Sequence, residues 1–256
     1  MLSNEGSPSS NEMKGKPWGF WATLGFSAII SGLFLGLQTL VAVVFVFIMK
    51  GRHPQLDLEV YTRSLPSNGL CIAIMVIATA LICIPLTLLF AKLRKNISVR
   101  NYIGFRLPLK KQWVKWLLVL VAFLFLSDTV STLLGQPIVN PFMADIYKTS
   151  SFLPLLLVAL MVASPMFEEI FFRGFLFQGI RYSRLGPIAA IGITSLFWAA
   201  IHLQYNLYGM ATIFALGLLL GIVRIKTDSI YLLMAMHSLS SLAATIETAL
   251  YVHFVG

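Results

Sequence analysis

Residues 151–180 read SFLPLLLVALMVASPMFEEIFFRGFLFQGI, a run whose only ionisable side chains are Glu168, Glu169 and Arg173. A bilayer-spanning helix takes about 20 mostly apolar residues, so the run is long enough to cross. Six more runs of this kind flank it, at roughly 18–49, 68–91, 113–135, 186–203, 207–223 and 228–251. The fold expected is all-α, a polytopic transmembrane helical bundle of about seven spans, within a range of six to eight. Composition agrees: the chain is 58% hydrophobic and 11% charged, with a mean hydropathy of +0.84, where soluble domains are about a quarter charged.

The net charge of +9 raises nucleic acid as a partner, but the cations are sorted by loop. Lys14, Lys16, Lys92, Arg94, Lys95, Arg100, Arg106, Lys110, Lys111, Lys115, Arg181, Arg184, Arg224 and Lys226 precede the first, third, fifth and seventh runs. The other gaps hold only Lys50, Arg52, Arg63 and Lys148. This is the asymmetry of the positive-inside rule. It places the N-terminus in the cytoplasm and makes the lipid bilayer, not nucleic acid, the partner of the basic loops. Residues 1–17, with SNEGSPSSNE, read as a disordered cytoplasmic tail, and 18–256 as a single transmembrane domain. The first run lacks a small-residue cleavage site and reads as an uncleaved anchor. Cys71 and Cys83 share one span without a C-x-x-C or a histidine companion and read as packing residues. The basic loop 92–115 is long enough for an interfacial helix.

An ionisable side chain near the bilayer centre costs about 2.5–3.5 kcal/mol on insertion scales and normally faces a partner in the bundle. Asp128, Glu168, Glu169, Arg173 and Glu247 lie well inside runs, joined by His202 and His237. Glu169 and Arg173 are four apart, on one helix face, and can pair. Glu168 lies about 100° round the helix from Glu169, outside that pair. At 1.5 Å per residue, Glu168, His202 and His237 sit about 18, 24 and 14 Å from the cytoplasmic boundary, so three helices bring polar groups to one middle layer. A desolvated carboxylate suits proton abstraction from water, one imidazole can assist, and another can stabilise an oxyanion. Hydrolysis of an acyl bond uses all three. Structural readings stand beside this one. His202 can be interfacial, and His237 can bond a neighbouring helix. Asp128 can be a helix contact or a further member of the site, Glu247 structural or interfacial, and Ser238, Ser240 and Ser241 packing residues.

Glu168-Glu169-x-x-x-Arg173 resembles the E-E-x-x-x-R signature of the CPBP (CAAX protease and bacteriocin-processing) intramembrane proteases, which include the type II CAAX prenyl endopeptidase. The family's aromatic-x-x-x-His motif is matched in FWAAIHL by Trp198 and His202, with Trp in the usual Phe position. Its His-x-x-x-Asn motif is matched in HSLSS by His237, with Ser241 in place of Asn. The resemblance covers 151–241. It implies that Glu168 and His202 activate water, that His237 with the residue at 241 forms the oxyanion site, and that Glu169 and Arg173 hold the helix in place. Ser241 is shorter than Asn and donates one hydrogen bond, so oxyanion stabilisation through it is weaker or comes from elsewhere.

Glu168, His202 and His237 could also supply three ligands to zinc with an open fourth position, although no H-E-x-x-H pair is present. The sequence leaves a metalloprotease and a metal-free mechanism equally open. The leading reading is an endopeptidase in the plasma membrane of a prokaryote, cutting membrane-anchored, CAAX-like or bacteriocin-related substrates near the cytoplasmic side. The alternatives are a catalytically weak or inactive scaffold or immunity protein, and a proton-coupled transporter. The last lacks the paired, Gly- or Pro-broken spans of inverted repeats.

Overall fold

The computed structural model describes residues 15–255, all helix and connecting loop, with no strand among them. The expected tail lies outside the described residues as far as residue 14. Its last part is packed: Pro17 is buried, and the Lys16 carbonyl accepts a 2.9 Å bond from Arg94 Nε.

The helices are α1 (Phe20–Arg52), α2 (Leu58–Ser64), α3 (Gly69–Lys92), α4 (Val99–Ile103), α5 (Lys110–Leu133), α6 (Pro141–Lys148), α7 (Leu153–Arg181), α8 (Gly186–Ala200), α9 (Leu207–Thr227) and α10 (Ile230–Phe254). Of these, α1, α3, α5, α7, α9 and α10 are long and apolar enough to cross a membrane. Several starts are set by a polar residue that caps otherwise orphaned N–H groups. Asn68 accepts from the backbone of Cys71, Asn140 from Phe142, Asn206 from Gly209 and Ser229 from Leu232. Large apolar side chains such as Phe47, Leu81, Phe125 and Ile188 face outward, more than two thirds exposed. That is the inverse of a water-soluble surface and fits hydrocarbon as the solvent.

Two boundaries differ from the expectation. The fifth run ends as helix at Ala200 and not at 203, and its 15 residues span about 22 Å, short of the roughly 30 Å hydrocarbon core. The chain leaves the helix there because Asn206 caps α9 five residues beyond Ile201, so HLQY must serve as a turn. The sixth helix continues past 223 to Thr227, and Arg224, read from sequence as a loop cation, is fully buried. The interfacial helix expected in 92–115 is the short α4.

The centre of the bundle is α7, whose Phe167, Phe171, Phe172, Phe175 and Phe177 belong to one buried cluster. This helix is not uniformly α-helical. Ala159–Ala163 and Glu169–Leu176 have the wider π geometry, a distortion frequent at functional sites. Pro165 lacks an N–H, and its ring crowds the carbonyl of residue 161, which the wide first segment accommodates. Around it α1 packs on α3, and α8 packs on α9. The α8–α9 approach needs a small residue, because a Cβ at Gly217 would lie 2.9 Å from Ser195 and 3.1 Å from the Trp198 ring.

Candidate active site

The acid pair that opened the sequence reading is split by its surroundings. Glu169 is fully buried. Its Oε1 accepts from Arg173 Nη1 at 3.2 Å and from His237 Nδ1 at 3.0 Å. The intrahelical pair therefore forms, even across π-helical backbone, and reaches a second helix that the spacing did not reveal. Arg173 is also fully buried, with Nε and Nη2 unpartnered. Its guanidinium lies 4.2 Å from the centroid of the Trp198 ring, whose face attracts a cation.

Glu168 has different partners. One oxygen accepts from Ser164 Oγ, one turn back on α7, and the other from Trp198 Nε1 on α8. His237 Nε2 faces the second oxygen at 4.0 Å, beyond a direct hydrogen bond. Trp198 meets the rings of His202 and His237 edge-on, with centroids 5.5 and 5.1 Å away. His202 Nδ1 is tied to the Trp198 carbonyl at 2.7 Å. A carbonyl only accepts, so Nδ1 carries the hydrogen and Nε2 is left free. Glu168, Glu169, Arg173, Trp198, His202 and His237 thus form one connected layer over α7, α8 with the turn that follows it, and α10.

Two cavities meet at this layer. One, of about 240 Å³, is lined by Trp198, His202 and His237 together with Asp128 of α5 and Glu247 of α10. The other, of about 480 Å³, holds Glu168 and Ser164 and runs between α1 and α3 along Phe34, Gln38, Met75 and Val76. His202, His237, Tyr205 and Ser241 line both. Ser241 is therefore at the site, one turn beyond His237. Asp128 and Glu247 also face the chamber, and among the described residues no lysine or arginine lines either cavity.

Sequence reading missed Ser164 and Tyr205. Ser164 was legible as the i−4 neighbour of Glu168. Tyr205 lies in the turn between α8 and α9, its ring 6.0 Å from that of His202. Burial, and secondarily the charge of Glu168, push its phenol up to about 12, so it remains a neutral donor beside the histidine. The donor role of Trp198 was hidden because a Phe, usual in the resembling family, packs but cannot donate.

The donors do not fit the zinc site considered from sequence. No three His, Cys, Asp or Glu among the described residues are grouped to hold an ion. Both Glu168 oxygens accept hydrogen bonds, and one nitrogen of each histidine is committed to Glu169 or to a backbone carbonyl. A zinc ligand set needs its atoms about 2.0–2.2 Å from one point.

The end of the bundle carrying most cations is held shut by a polar latch. Arg224 donates to the carbonyls of Arg173 (3.0 Å) and Ile103 (2.9 Å) and to Asp228 (2.5 Å). Asp228 also pairs with Arg106 at 3.3 Å and Arg181 at 3.6 Å. Gly104, with φ of +88°, lies against the guanidinium, where a Cβ would come within 2.5 Å of Nη1. Tyr102 stacks on Phe175 at 5.5 Å and accepts from the Trp18 backbone N–H at 3.4 Å.

Residues 150–243 match the family model described as type II CAAX prenyl endopeptidase Rce1-like, and that segment contains all three motifs. An Escherichia coli protein described as an uncharacterized 24.3 kDa protein is 31% identical over 137 residues, covering 50% of this chain and 61% of that protein. No solved structure matches.

Proposed function

We propose that this integral membrane protein, Rce1-like over 150–243, is an intramembrane endopeptidase that hydrolyses peptide bonds of membrane-anchored substrates with a water activated by Glu168 and His202. The observation that carries the reading is Glu168 itself: a carboxylate buried among apolar helices yet lining a cavity, with its oxygen 4.0 Å from His237 Nε2. One water oxygen at roughly 2.8 Å from each atom fits between them.

Glu168 takes a proton as the water oxygen attacks the scissile carbonyl carbon, with His202 Nε2 accepting the second water hydrogen in a hydrogen bond. Negative charge then develops on the carbonyl oxygen. His237, anchored through Nδ1 on Glu169, turns Nε2 toward it as a donor, and Ser241, which lines both cavities, can add a second. Glu168 returns its proton to the leaving amine, so one water is consumed for each bond broken. Arg173 is a positioning residue, acting through Glu169. CAAX-like or bacteriocin-related peptides are the substrate classes that the resemblance supports, and the plasma membrane of a prokaryote is the location in keeping with the Escherichia coli relative.

The test is cleavage of a labelled membrane-peptide library by the purified, reconstituted protein. Wild type cuts with and without chelator, and Glu168→Gln and His202→Ala do not. Undiminished cleavage by Glu168→Gln overturns the mechanism, and loss of activity with chelator restores the metal reading. A second reading, a weak or inactive scaffold, is favoured by Ser241 at the family's Asn position; it predicts that wild type cuts nothing and that Ser241→Asn gains activity.

A further inference from the structure

Both cavities extend from the catalytic layer toward the same end of the bundle. The larger reaches Leu65 and Pro66, beyond α2, and the smaller reaches Pro137, Ile138 and Val139, before α6. The loop after α2 is bonded to the end of α6, the helix that 137–139 leads into: Thr149 Oγ1 donates to the Ser67 carbonyl at 2.7 Å and accepts from Gly69 N at 3.0 Å. No residue of the opposite loops, 93–109, 182–185 or 228–229, lines either cavity. There the Arg224–Asp228 latch and the stacked Tyr102 and Phe175 rings, with the Trp18 backbone N–H bonded to the Tyr102 hydroxyl, fill the bundle. The two shallow hollows at that end, one around Lys111 and one around Arg100, share no residue with the chamber.

The closed end is also the cation-rich one. Among the described residues thirteen lysines and arginines belong to it and four to the open end, Arg173 being intramembrane. Loops with the Lys/Arg excess stay in the cytoplasm. From these two independent observations we infer that the catalytic chamber opens to the extracytoplasmic side, and that its substrate is an anchored peptide whose scissile bond is presented from the outer half of the bilayer. This reverses the cytoplasmic-side cut expected from sequence and, of the two substrate classes above, favours the bacteriocin-related peptide over a cytoplasmic CAAX-like tail. It rests on the proteolytic reading for the word substrate, but the direction of access stands on the cavities and the charge partition alone.

A lipid-borne route fits the same geometry. The larger cavity passes between α1 and α3 along mostly apolar side chains, so an anchor can lie there while the adjoining polar segment reaches the Asp128 and Glu247 side, which offers no positive charge to repel a basic flank. A tail ending in the cytoplasm meets the latch, where opening a path would strip the buried Arg224 guanidinium of its carbonyl acceptors, a costly loss for a charge in low dielectric.

Access is read by cysteine labelling, which needs no turnover. Single substitutions Val139→Cys at the mouth, Ala244→Cys in the chamber and Lys111→Cys at the cation-rich end are made in the full chain, with the parent protein as control because Cys71 and Cys83 are fully buried. A membrane-impermeant maleimide is added to right-side-out vesicles. The expected result is that Val139→Cys and Ala244→Cys label as fully in intact as in permeabilised vesicles, and Lys111→Cys labels only after permeabilisation. Labelling of Lys111→Cys in intact vesicles, or of Ala244→Cys only after permeabilisation, overturns the inference. Repeating the labelling in a Glu168→Gln background separates it from the mechanism: access must be unchanged there even though cleavage is lost.

Discussion

Substituting Glu169 by Gln tests whether the buried ion pair holds the site, and its magnitude follows from burial. Glu169 and Arg173 are both fully buried, 3.2 Å apart, and Arg173 has two nitrogens without partners. Removing one member of a buried pair leaves an uncompensated charge and costs about 3–5 kcal/mol. The Trp198 face, 4.2 Å from the guanidinium, returns roughly 2 kcal/mol of cation–π attraction that survives the change, which places the loss near the lower end. At about 2–4 °C per kcal/mol for a chain of this size, Glu169→Gln lowers Tm in detergent by roughly 6–12 °C. Arg173→Met alone destabilises comparably, since it strands the carboxylate. The double variant carries no unpaired charge and recovers most of the loss, because hydrophobic replacements of whole buried pairs are often neutral. Cleavage separates stability from positioning: Gln still accepts from His237 Nδ1, but through a neutral bond about half as strong, so the double variant remains roughly tenfold slower at wild-type stability. A double variant no more stable than either single one refutes the reasoning. So does a Glu169→Gln protein with unchanged Tm.

Three further outcomes follow from other contacts. Trp198→Phe keeps the ring but removes the N–H that Glu168 accepts, costing about 1.5–3 kcal/mol for a bond to a charged group; thermal unfolding measures it, and in a Glu168→Gln background the further loss should shrink by more than half. Gly104→Ala adds a Cβ both at positive φ and against Arg224, so a loss of at least about 1–3 kcal/mol is expected, seen as a lower Tm with faster protease nicking at the cation-rich end; an unchanged Tm denies the latch its tight packing. Tyr102, at the same end, is pushed up by burial from its ordinary value near 10 to about 12. A raised folded value means that its contribution is complete below pH 10 and is lost as pH rises toward 12. Tyr102→Phe should therefore lessen the fall in stability across that window, and an identical pH profile counts against it.

Much of the site was legible because its chemistry breaks the solvent rule: charges inside apolar runs stand out wherever bilayer is the medium. Glu168, His202 and His237 were found that way, and the four-residue step from Glu169 to Arg173 gave their pairing from helix geometry alone. Arg224 was misread by the same logic. A cation at the end of an apolar run is normally in water or at a headgroup, and only the carbonyls of Arg173 and Ile103, 51 and 121 residues away in sequence, make its burial tolerable.

Sequence alone determined that the chain is a helical membrane bundle, which loops carry the positive charge, and that Glu168, His202 and His237 interrupt separate apolar runs. These are properties of one segment at a time, fixed by periodicity and transfer free energy. Only the tertiary structure decided that Trp198 holds Glu168, that Glu169 reaches past Arg173 to His237, and that the chamber is closed at the cation-rich end and open at the other. Each of these depends on how helices approach one another, and packing between helices far apart in sequence has no local period to betray it.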